Sequence, residues 1–305
     1  MTPPLVSIVT TSYNQASFLE ETIRSVLDQD YEAIEYLVID DGSTDGSDEI
    51  VRRYADRLAW SRIQENRGQV HALNTAFSAA RGDILNFVNS DDTLLPQAIA
   101  RVVRAFERNP SLVVVYGDVF LTNERSERVE YGAAGDWDLA RMARTVYTPH
   151  QPSTFWSRRA WEAAGPFNER SWALFDVEFN LRTALLGPAH HIEEPLATFR
   201  LHPESKSLSR HRAMAVECLR FADEFYGSPD LPSLLRPYAR AGRASLLRRA
   251  ALHLQAEGQI GRSRRLFLRS LLLSRYGLTR KQLQRLARTC VPERLARRRR
   301  AAVRL

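Results

Sequence analysis

With 305 residues, 44% of them hydrophobic and 26% charged, and a net charge of +7, the chain is neither a disordered nor a collagenous sequence and has room for about two globular domains. Its two cysteines, Cys218 and Cys290, lie far apart with no metal or redox spacing, which excludes a disulfide framework and points to free thiols in a reducing compartment. The start, MTPPLVSIVTTSYN, lacks a basic stretch ahead of an apolar core, and no window approaches the roughly 18 apolar residues of a membrane span, so a cytoplasmic protein without a standard export signal is expected.

The charge is divided along the chain. Residues 1–205 hold 19 Lys and Arg against 30 Asp and Glu, a net −11, while residues 206–305 hold 24 against 6, a net +18. The change falls near HPESKSLSR, where alternating strand and helix signals give way to helical ones. Two regions are expected, 1–209 and 210–305.

In the first region, Val6–Thr11 is a β-branched run, and Ser17 and Glu20 fit a capping box opening a helix to about Gln29. Tyr36–Asp41 is a second strand, followed by a Gly/Ser/Thr turn and an amphipathic helix to about Tyr54. A short strand near Arg62–Gln64 precedes ENRGQ, and a helix runs from Val70 to about Ala80 with Gly82 placed as its stop. Then come a strand over Ile84–Asn89, a helix started by Pro96, and the buried strand LVVVYGD. Short strands alternating with helices imply an α/β fold of the Rossmann-like kind, a mostly parallel sheet covered on both faces.

Such sheets bind ligands at the carboxyl ends of their strands. Tyr13 ends the first strand, Asp40 and Asp41 the second, and Asp91 and Asp92 the fourth. The turn after the first strand, TSYNQAS, lacks the glycines of a dinucleotide-binding loop, and the phosphate loop of nucleoside triphosphatases is missing too. Carboxylates and an aromatic ring stand where those families present bare amides. That set suits a nucleotide held through Mg²⁺ or Mn²⁺, which prefers oxygen ligands and keeps positions open for phosphate oxygens. The cation would also cancel the repulsion within Asp91-Asp92. Tyr13 is placed to stack on a base, and Asp41 to accept a hydrogen bond from a ring N–H of the kind uracil offers.

The blocks VSIVTTSYNQASFLEETIRSVLDQDY, EYLVIDDGSTDGS, ENRGQVHALNTAFSAARGDILNFVNSDDTLLP, QPSTFWSRR, GPFNE, FDVEFNLR and FRLHPESKS resemble, in order and spacing, the family 2 inverting glycosyltransferases of the GT-A fold. The resemblance covers roughly residues 4–209. It implies that Thr11 and Tyr13 line the base pocket, that Asp41 reads the pyrimidine edge, and that Arg67 and Gln69 of ENRGQ lie near the sugar nucleotide. It further implies Asp91 as a ribose or metal-water contact, Asp92 as the direct metal ligand and His202 as a histidine near the metal and diphosphate. FDVEFNLR resembles the segment that carries the catalytic base, which makes Asp176 the candidate. Many relatives are acidic at position 89; this chain has Asn89, which still offers a carbonyl oxygen to ribose or water.

The implied reaction is a metal-dependent transfer of a hexosyl group from a nucleoside-diphosphate sugar to an acceptor hydroxyl, in glycan or glycolipid synthesis at the cell surface. UDP is the favoured carrier; dTDP and GDP stay open because thymine shares the N–H and guanine has its own. Processive relatives carry membrane helices and a QxxRW signature, neither of which is seen, so a non-processive enzyme is expected. A nucleotidyltransferase-like enzyme or a catalytically silent sugar-nucleotide binder is the alternative.

Simpler roles compete for several of these residues. Asp40 and Asp41 also fit turn formers or helix caps, and Asp91 or Asp92 a cap for the helix after Pro96. Glu178 rivals Asp176, since two residues apart on a helix they point in different directions. Segment 120–148 carries no assignable motif and is expected near the acceptor.

The second region is helical and rich in arginine. Leu246, Leu247, Ala250, Ala251 and Leu254 form an apolar stripe with Arg248 and Arg249 outside it, and Leu266–Leu273 forms another helix. With EGQIGRS between them, the pair resembles a helical hairpin of the tetratricopeptide kind. Two readings stand side by side: a basic face on anionic lipid or a lipid-linked acceptor at the inner face of the membrane, or a solvated helical cap. Nucleic acid is not the expected partner, because no aromatic or groove-reading motif accompanies the charge. ARRRRAAVRL reads as a basic tail.

Overall fold

A computed structural model of the chain describes residues 3–205, 209–276, 278–280 and 283–284; Cys290 and the run ARRRRAAVRL lie outside them. The described residues form two compact units, one within Met1–Leu139 and Tyr147–Ser205, the other within Ala140–Val146 and Lys206–Leu305. Part of segment 120–148 thus belongs with the helical region. Among the described residues no helix is long and apolar enough to cross a membrane.

The first unit begins β1 (Val6–Ser12), α1 (Ala16–Leu27), β2 (Ile34–Asp40), α2 (Ser47–Tyr54), β3 (Trp60–Ile63), α3 (Gln69–Ala79) and β4 (Ile84–Phe87). The chain continues with β5 (Thr93–Leu94), α4 (Ala98–Arg108), β6 (Val114–Thr122), β7 (Arg128–Gly132), α5 (Leu139–Thr145), β8 (Thr154–Ser157), α6 (Arg158–Ala164), α7 (Phe175–Thr183) and β9 (Ala189–Arg200). These strands make one sheet in the order β3-β2-β1-β4-β8-β6-β9-β5, with β7 hairpinned onto β6. From β3 to β4 every pairing is parallel. Beyond β4 the sheet is mixed: β8 runs antiparallel to β4 and β6, whereas β9 runs parallel to β6.

Helices cover both faces, and strand alternation decides which residues meet them. Val6, Ile8, Tyr36 and Val38 face Leu19, Ile23, Val102 and Phe106 of α1 and α4. Val9, Leu37, Ile39 and Phe87 face Leu73, Phe77, Trp161 and Phe179 of α3, α6 and α7. On this second face, Phe167 of GPFNE sits among the rings of Phe77, Phe87, Trp156, Trp161, Phe175 and Phe179, with centroids 4.8 to 6.2 Å away. Aromatic pairs in such geometry add about 0.5–1.5 kcal/mol each beyond the area they bury. The cluster therefore fastens the start of α7 to the carboxyl end of β4.

Three local expectations are corrected. The residue ahead of α1 is Gln15, without a side-chain cap, so Ser17 and Glu20 form no capping box; the amide of Ala16 instead donates to Asp45 Oδ2 at 2.9 Å. Pro96 does not start α4, because Gln97 at φ 65° intervenes. Gly82 is not the stop of α3, whose end residue Ala80 is extended. It serves a close approach: a Cβ there would lie 2.5 Å from the backbone nitrogen of Ser7.

In the second unit, α8 (His211–Glu224), α9 (Ala239–Ala256) and α10 (Ile260–Leu273) pack with α9 against both neighbours. The α9–α10 turn passes through Gly258 at φ 74°, a left-handed conformation that glycine adopts without cost from a Cβ. Leu246, Leu247, Ala250, Ala251 and Leu254 are buried, as their spacing requires. Arg248 is buried with them and not on the outer face: its guanidinium donates to the carbonyls of Ser274 and Tyr276.

Candidate active site

Four chain segments meet where β1, β2 and β4 end. Thr11 is buried near the end of β1, and Tyr13 follows it with 47% of its surface exposed, leaving the ring free for stacking. Asn14 turns the chain at φ 53°, a conformation asparagine tolerates better than most residues. Its amide donates to Ser43 Oγ and its Oδ1 accepts from Thr44 N, both at 2.8 Å. Asp45 completes this mesh; burial works to raise its pKa, but bonds from Ser47 and the Ala16 amide outweigh burial and hold it below the usual carboxylate value.

The two aspartates that end β2 divide their work. Asp40 is fully buried and accepts from the amide and hydroxyl of Ser43, as a turn former does. Asp41 holds the ENRGQ loop: Oδ1 accepts from Gln64 Nε2 at 2.8 Å and from Arg67 N at 3.0 Å, and Oδ2 from Gly68 N at 2.8 Å. A carboxylate has about four acceptor sites, so Asp41 keeps about one for a ligand. Gly42, at φ 80°, lets the loop come this close, since a Cβ would lie 2.9 Å from Asn66 N. The Arg67 side chain is exposed.

After β4 the chain makes the turn that carries Asn89, Asp91 and Asp92. Asp92 is buried, and both of its oxygens are taken: Oδ1 accepts from Arg200 N at 2.9 Å and Oδ2 from Asn89 Nδ2 at 3.1 Å. Burial first, and then the charge of Asp91, push its pKa well above the usual value. Asp91 is partly exposed, and its Oδ2 lies 3.0 Å from His202 Nε2. Asp92 is thus held within the scaffold, and the more accessible of the two carboxylates, the one beside His202, belongs to Asp91. Among the described residues no three carboxylate, histidine or cysteine side chains converge on one point.

Asn89 is a hub. Its Oδ1 accepts from Gln69 Nε2 at 2.8 Å, while its Nδ2 donates to Asp92 and, at 3.4 Å, to Gln151 Oε1. Gln151 in turn donates to the carbonyl of Phe87, the last residue of β4. An acidic residue at position 89 has no proton to give Asp92, so the amide suits a partner that is a buried carboxylate.

The residue that sequence reasoning missed most clearly is Arg200, the last of β9. Its guanidinium is fully buried and donates to the Asp91 carbonyl at 2.8 Å, to Glu21 Oε2 at 2.7 Å, to Ser126 Oγ at 2.9 Å and to the Asn123 carbonyl at 3.2 Å. It also lies over the Phe18 ring, 4.7 Å from the centroid, and Phe18 packs against His202. Arg200 thereby ties the Asp91–Asp92 turn to α1 and to the β6–β7 hairpin. In the sequence it stands only as the arginine of FRLHPES, with no spacing that marks it as internal.

Asp176 lies in the first turn of α7, beside Phe175, whose ring stacks on Phe87 at 5.9 Å. Its rival Glu178 accepts from Asn168 Nδ2 at 3.0 Å, and Arg182 lies 3.9 Å away on the same helix. The rival is thus engaged in holding the GPFNE turn. Gln69, Asn89 and Asp92 are joined by hydrogen bonds, Asp91 and His202 form a second pair, and Arg200 links the two groups, with Asp41 holding the adjoining loop.

Residues 7–161 match the model of glycosyl transferase family 2. The chain is 28% identical over 224 residues to an uncharacterized glycosyltransferase of Nostoc sp., covering 70% of this chain and 69% of that protein. It is 30% identical over 213 residues to the chondroitin synthase of Escherichia coli, covering 68% of this chain but 30% of the synthase. A similar fold is seen in the mannosyltransferase PcManGT from Pyrobaculum calidifontis, solved with GDP-Man and Mn²⁺: TM-score 0.61 and 22% identity over 95% of this chain and 85% of that one. The family match spans just over half of the sequence, and on that ground the chain belongs to glycosyl transferase family 2 and is a glycosyltransferase of the GT-A fold.

Proposed function

We propose that this enzyme moves a hexosyl group from a nucleoside-diphosphate sugar to an acceptor hydroxyl, one residue at a time and with inversion, in the synthesis of a surface polysaccharide or glycolipid. The observation that carries the reading is the Asp91–His202 pair at the carboxyl end of β4, held in place from below by Arg200. The GDP-Man and Mn²⁺ bound by the archaeal mannosyltransferase and the activity in the name of the chondroitin synthase support it.

A carboxylate oxygen and an imidazole nitrogen 3.0 Å apart fit Mn²⁺, which accepts both donor types, and Mg²⁺ less well because it favours an all-oxygen shell. Two protein donors leave the remaining positions to phosphate oxygens and water. When bound, such a cation supplies charge stabilisation for a departing nucleoside diphosphate. Thr11 and Tyr13 hold the base, and the remaining acceptor site of Asp41 takes a ring N–H, which favours UDP and leaves dTDP and GDP open. Gln69, Asn89 and Arg67 border the sugar and diphosphate. Asp176 accepts the proton of the acceptor hydroxyl as that oxygen attacks the anomeric carbon and the bond to the diphosphate breaks, which inverts configuration.

The test is a panel of nucleotide sugars screened with and without Mn²⁺ by thermal shift and by release of nucleoside diphosphate. At least one donor should stabilise the protein in a Mn²⁺-dependent way, and Asp91→Ala or His202→Ala should abolish the metal-dependent part. If no nucleotide stabilises the protein with Mn²⁺ present, the reading fails.

A further inference from the structure

The mechanism above uses nothing from the helical unit, to which the strongly basic sequence range 206–305, net +18, belongs. Its three long helices leave a groove of 430 Å³. The floor is Ala215, Val216 and Leu219 of α8, Leu254 of α9 and Leu266 of α10; Arg212, Arg262 and Arg265 stand at the rim. Among the described residues Arg212 and Arg265 have no acidic partner, and Arg262 donates to the neutral side chain of Gln259. Several other arginines of the unit are neutralised or satisfied by the fold: Arg220 pairs with Glu217 and Glu224, Arg243 with Asp223, and Arg248 binds carbonyls. Three cations without an acidic partner thus stand together beside apolar surface.

The surface around the groove has the same character. Arg262, Arg265, Arg269 and Leu272, spaced three, four and three apart, share one side of α10. Leu272 is 82% exposed, and Val216, on the groove floor, is 61% exposed. Water gains nothing from either. An interfacial helix has this arrangement: apolar side chains reach into the hydrocarbon while arginines spread their stems over it and bring the guanidinium groups to phosphate level. An arginine-rich segment of the chain itself is excluded as occupant by like charge.

We infer that the groove between α8 and α10 seats the hydrocarbon chain of a membrane phospholipid whose anionic phosphate is held by Arg212, Arg262 and Arg265. This deepens the proposed function, since it would hold the enzyme at a membrane where a lipid-linked acceptor is made. An acidic amphipathic protein segment has similar chemistry, but confined to the groove it would leave Leu272 and Arg269 uncovered, whereas a lipid surface covers both.

The full chain is sedimented with vesicles of phosphatidylcholine alone and with vesicles of phosphatidylcholine and phosphatidylglycerol in equal parts. Binding is expected to the second only. Arg212→Ala and Arg265→Ala should each weaken it about fivefold, the worth of one basic residue at an anionic surface. Val216→Gln and Leu219→Gln leave the charge unchanged and should weaken it by at least as much. Val216 is exposed, so its variant cannot lose binding through misfolding. Binding that survives both glutamine variants would be surface electrostatics alone and would overturn the groove. So would equal binding to both vesicle types, or tight capture of an acidic amphipathic helical peptide with no vesicle binding. All four variants should keep the nucleotide-dependent thermal shift, so a failure here is distinguishable from a failure of the donor reading.

Discussion

The division of labour between Asp91 and Asp92 can be tested by giving each the same substitution. In Asp92→Asn, the new side chain has one acceptor and one donor group where the wild type has two acceptors. Its oxygen can still serve Arg200 N, but its NH₂ then faces Asn89 Nδ2, also a donor. Asn89 cannot turn its amide over to help, because Gln69 Nε2 already donates to its Oδ1. One buried donor is left without a partner, at a cost of about 1–3 kcal/mol. For a unit of roughly 200 residues each kcal/mol moves the melting temperature by about 2–4 °C, so the variant should melt lower by about 2–12 °C. Asp91→Asn removes a partly exposed charge next to a buried carboxylate and should melt close to wild type. It should, however, lose the Mn²⁺-dependent stabilisation by nucleotide sugars that Asp92→Asn retains. Differential scanning fluorimetry with and without Mn²⁺ and donor reads both effects. The reverse pattern, with Asp92→Asn thermally silent but blind to Mn²⁺, would refute this reasoning and restore Asp92 as the direct ligand.

Four further outcomes follow from the same geometry. Arg200→Ala leaves two backbone carbonyls without their buried donor and should cost about 3 kcal/mol while weakening donor affinity; Arg200→Lys should not rescue it, since a single ammonium cannot reach Asp91, Glu21 and Ser126 together, and calorimetry with nucleotide would show both effects. Asp176→Asn should lower turnover by about two to four orders of magnitude and keep the donor-dependent melting shift, checked by release of nucleoside diphosphate. Glu35 is held below its ordinary value of 4.5 because bonds from Arg81 and Ser7 outweigh burial; the stability it contributes is present above 4.5 and lost as pH falls through its lowered value, so a melting curve below pH 4.5 should be flatter for Glu35→Gln than for wild type. Burial pushes the Cys218 thiol up to about 11, so in a Cys290→Ser background a thiol reagent at neutral pH should label Cys218 only after denaturation.

Much of the scaffold was legible because its signals are local. β-branched runs such as VSIVTT and YLVID fit only a strand buried on both faces, and the acidic and apolar residues of SDEIVRRY separate at helical spacing. What was not legible depends on partners far along the chain. A short apolar run is silent about the direction of its neighbour, so nothing in TFWS announces that β8 runs antiparallel to β4. The N-terminus of α1 looked capped by Ser17 and Glu20, yet Asp45 from the next loop reaches it first. Gly82 read as a helix stop because that is the commonest use of glycine there, whereas its role is set by Ser7, 75 residues away. Arg200 and Arg248 share a different difficulty: a buried arginine looks the same in sequence as an exposed one, and only the carbonyls that surround it tell them apart.

The acidic pair shows where the two kinds of information part. That two carboxylates stand together at the end of a buried strand can be read from LNFVNSDDTLLP, and the need for a counter-charge follows from repulsion. Which of the two is engaged by the scaffold cannot be read there, because that depends on a backbone amide at position 200. Once Arg200 N and Asn89 Nδ2 claim Asp92, the turn has one way to go, and Asp91 is left pointing at His202. Asn89 is then no weakened acidic residue. Beside a buried carboxylate that needs a donor, an aspartate at 89 would add a second uncompensated charge, and the amide is what lets Asp92 stay buried while Asp91 stays available.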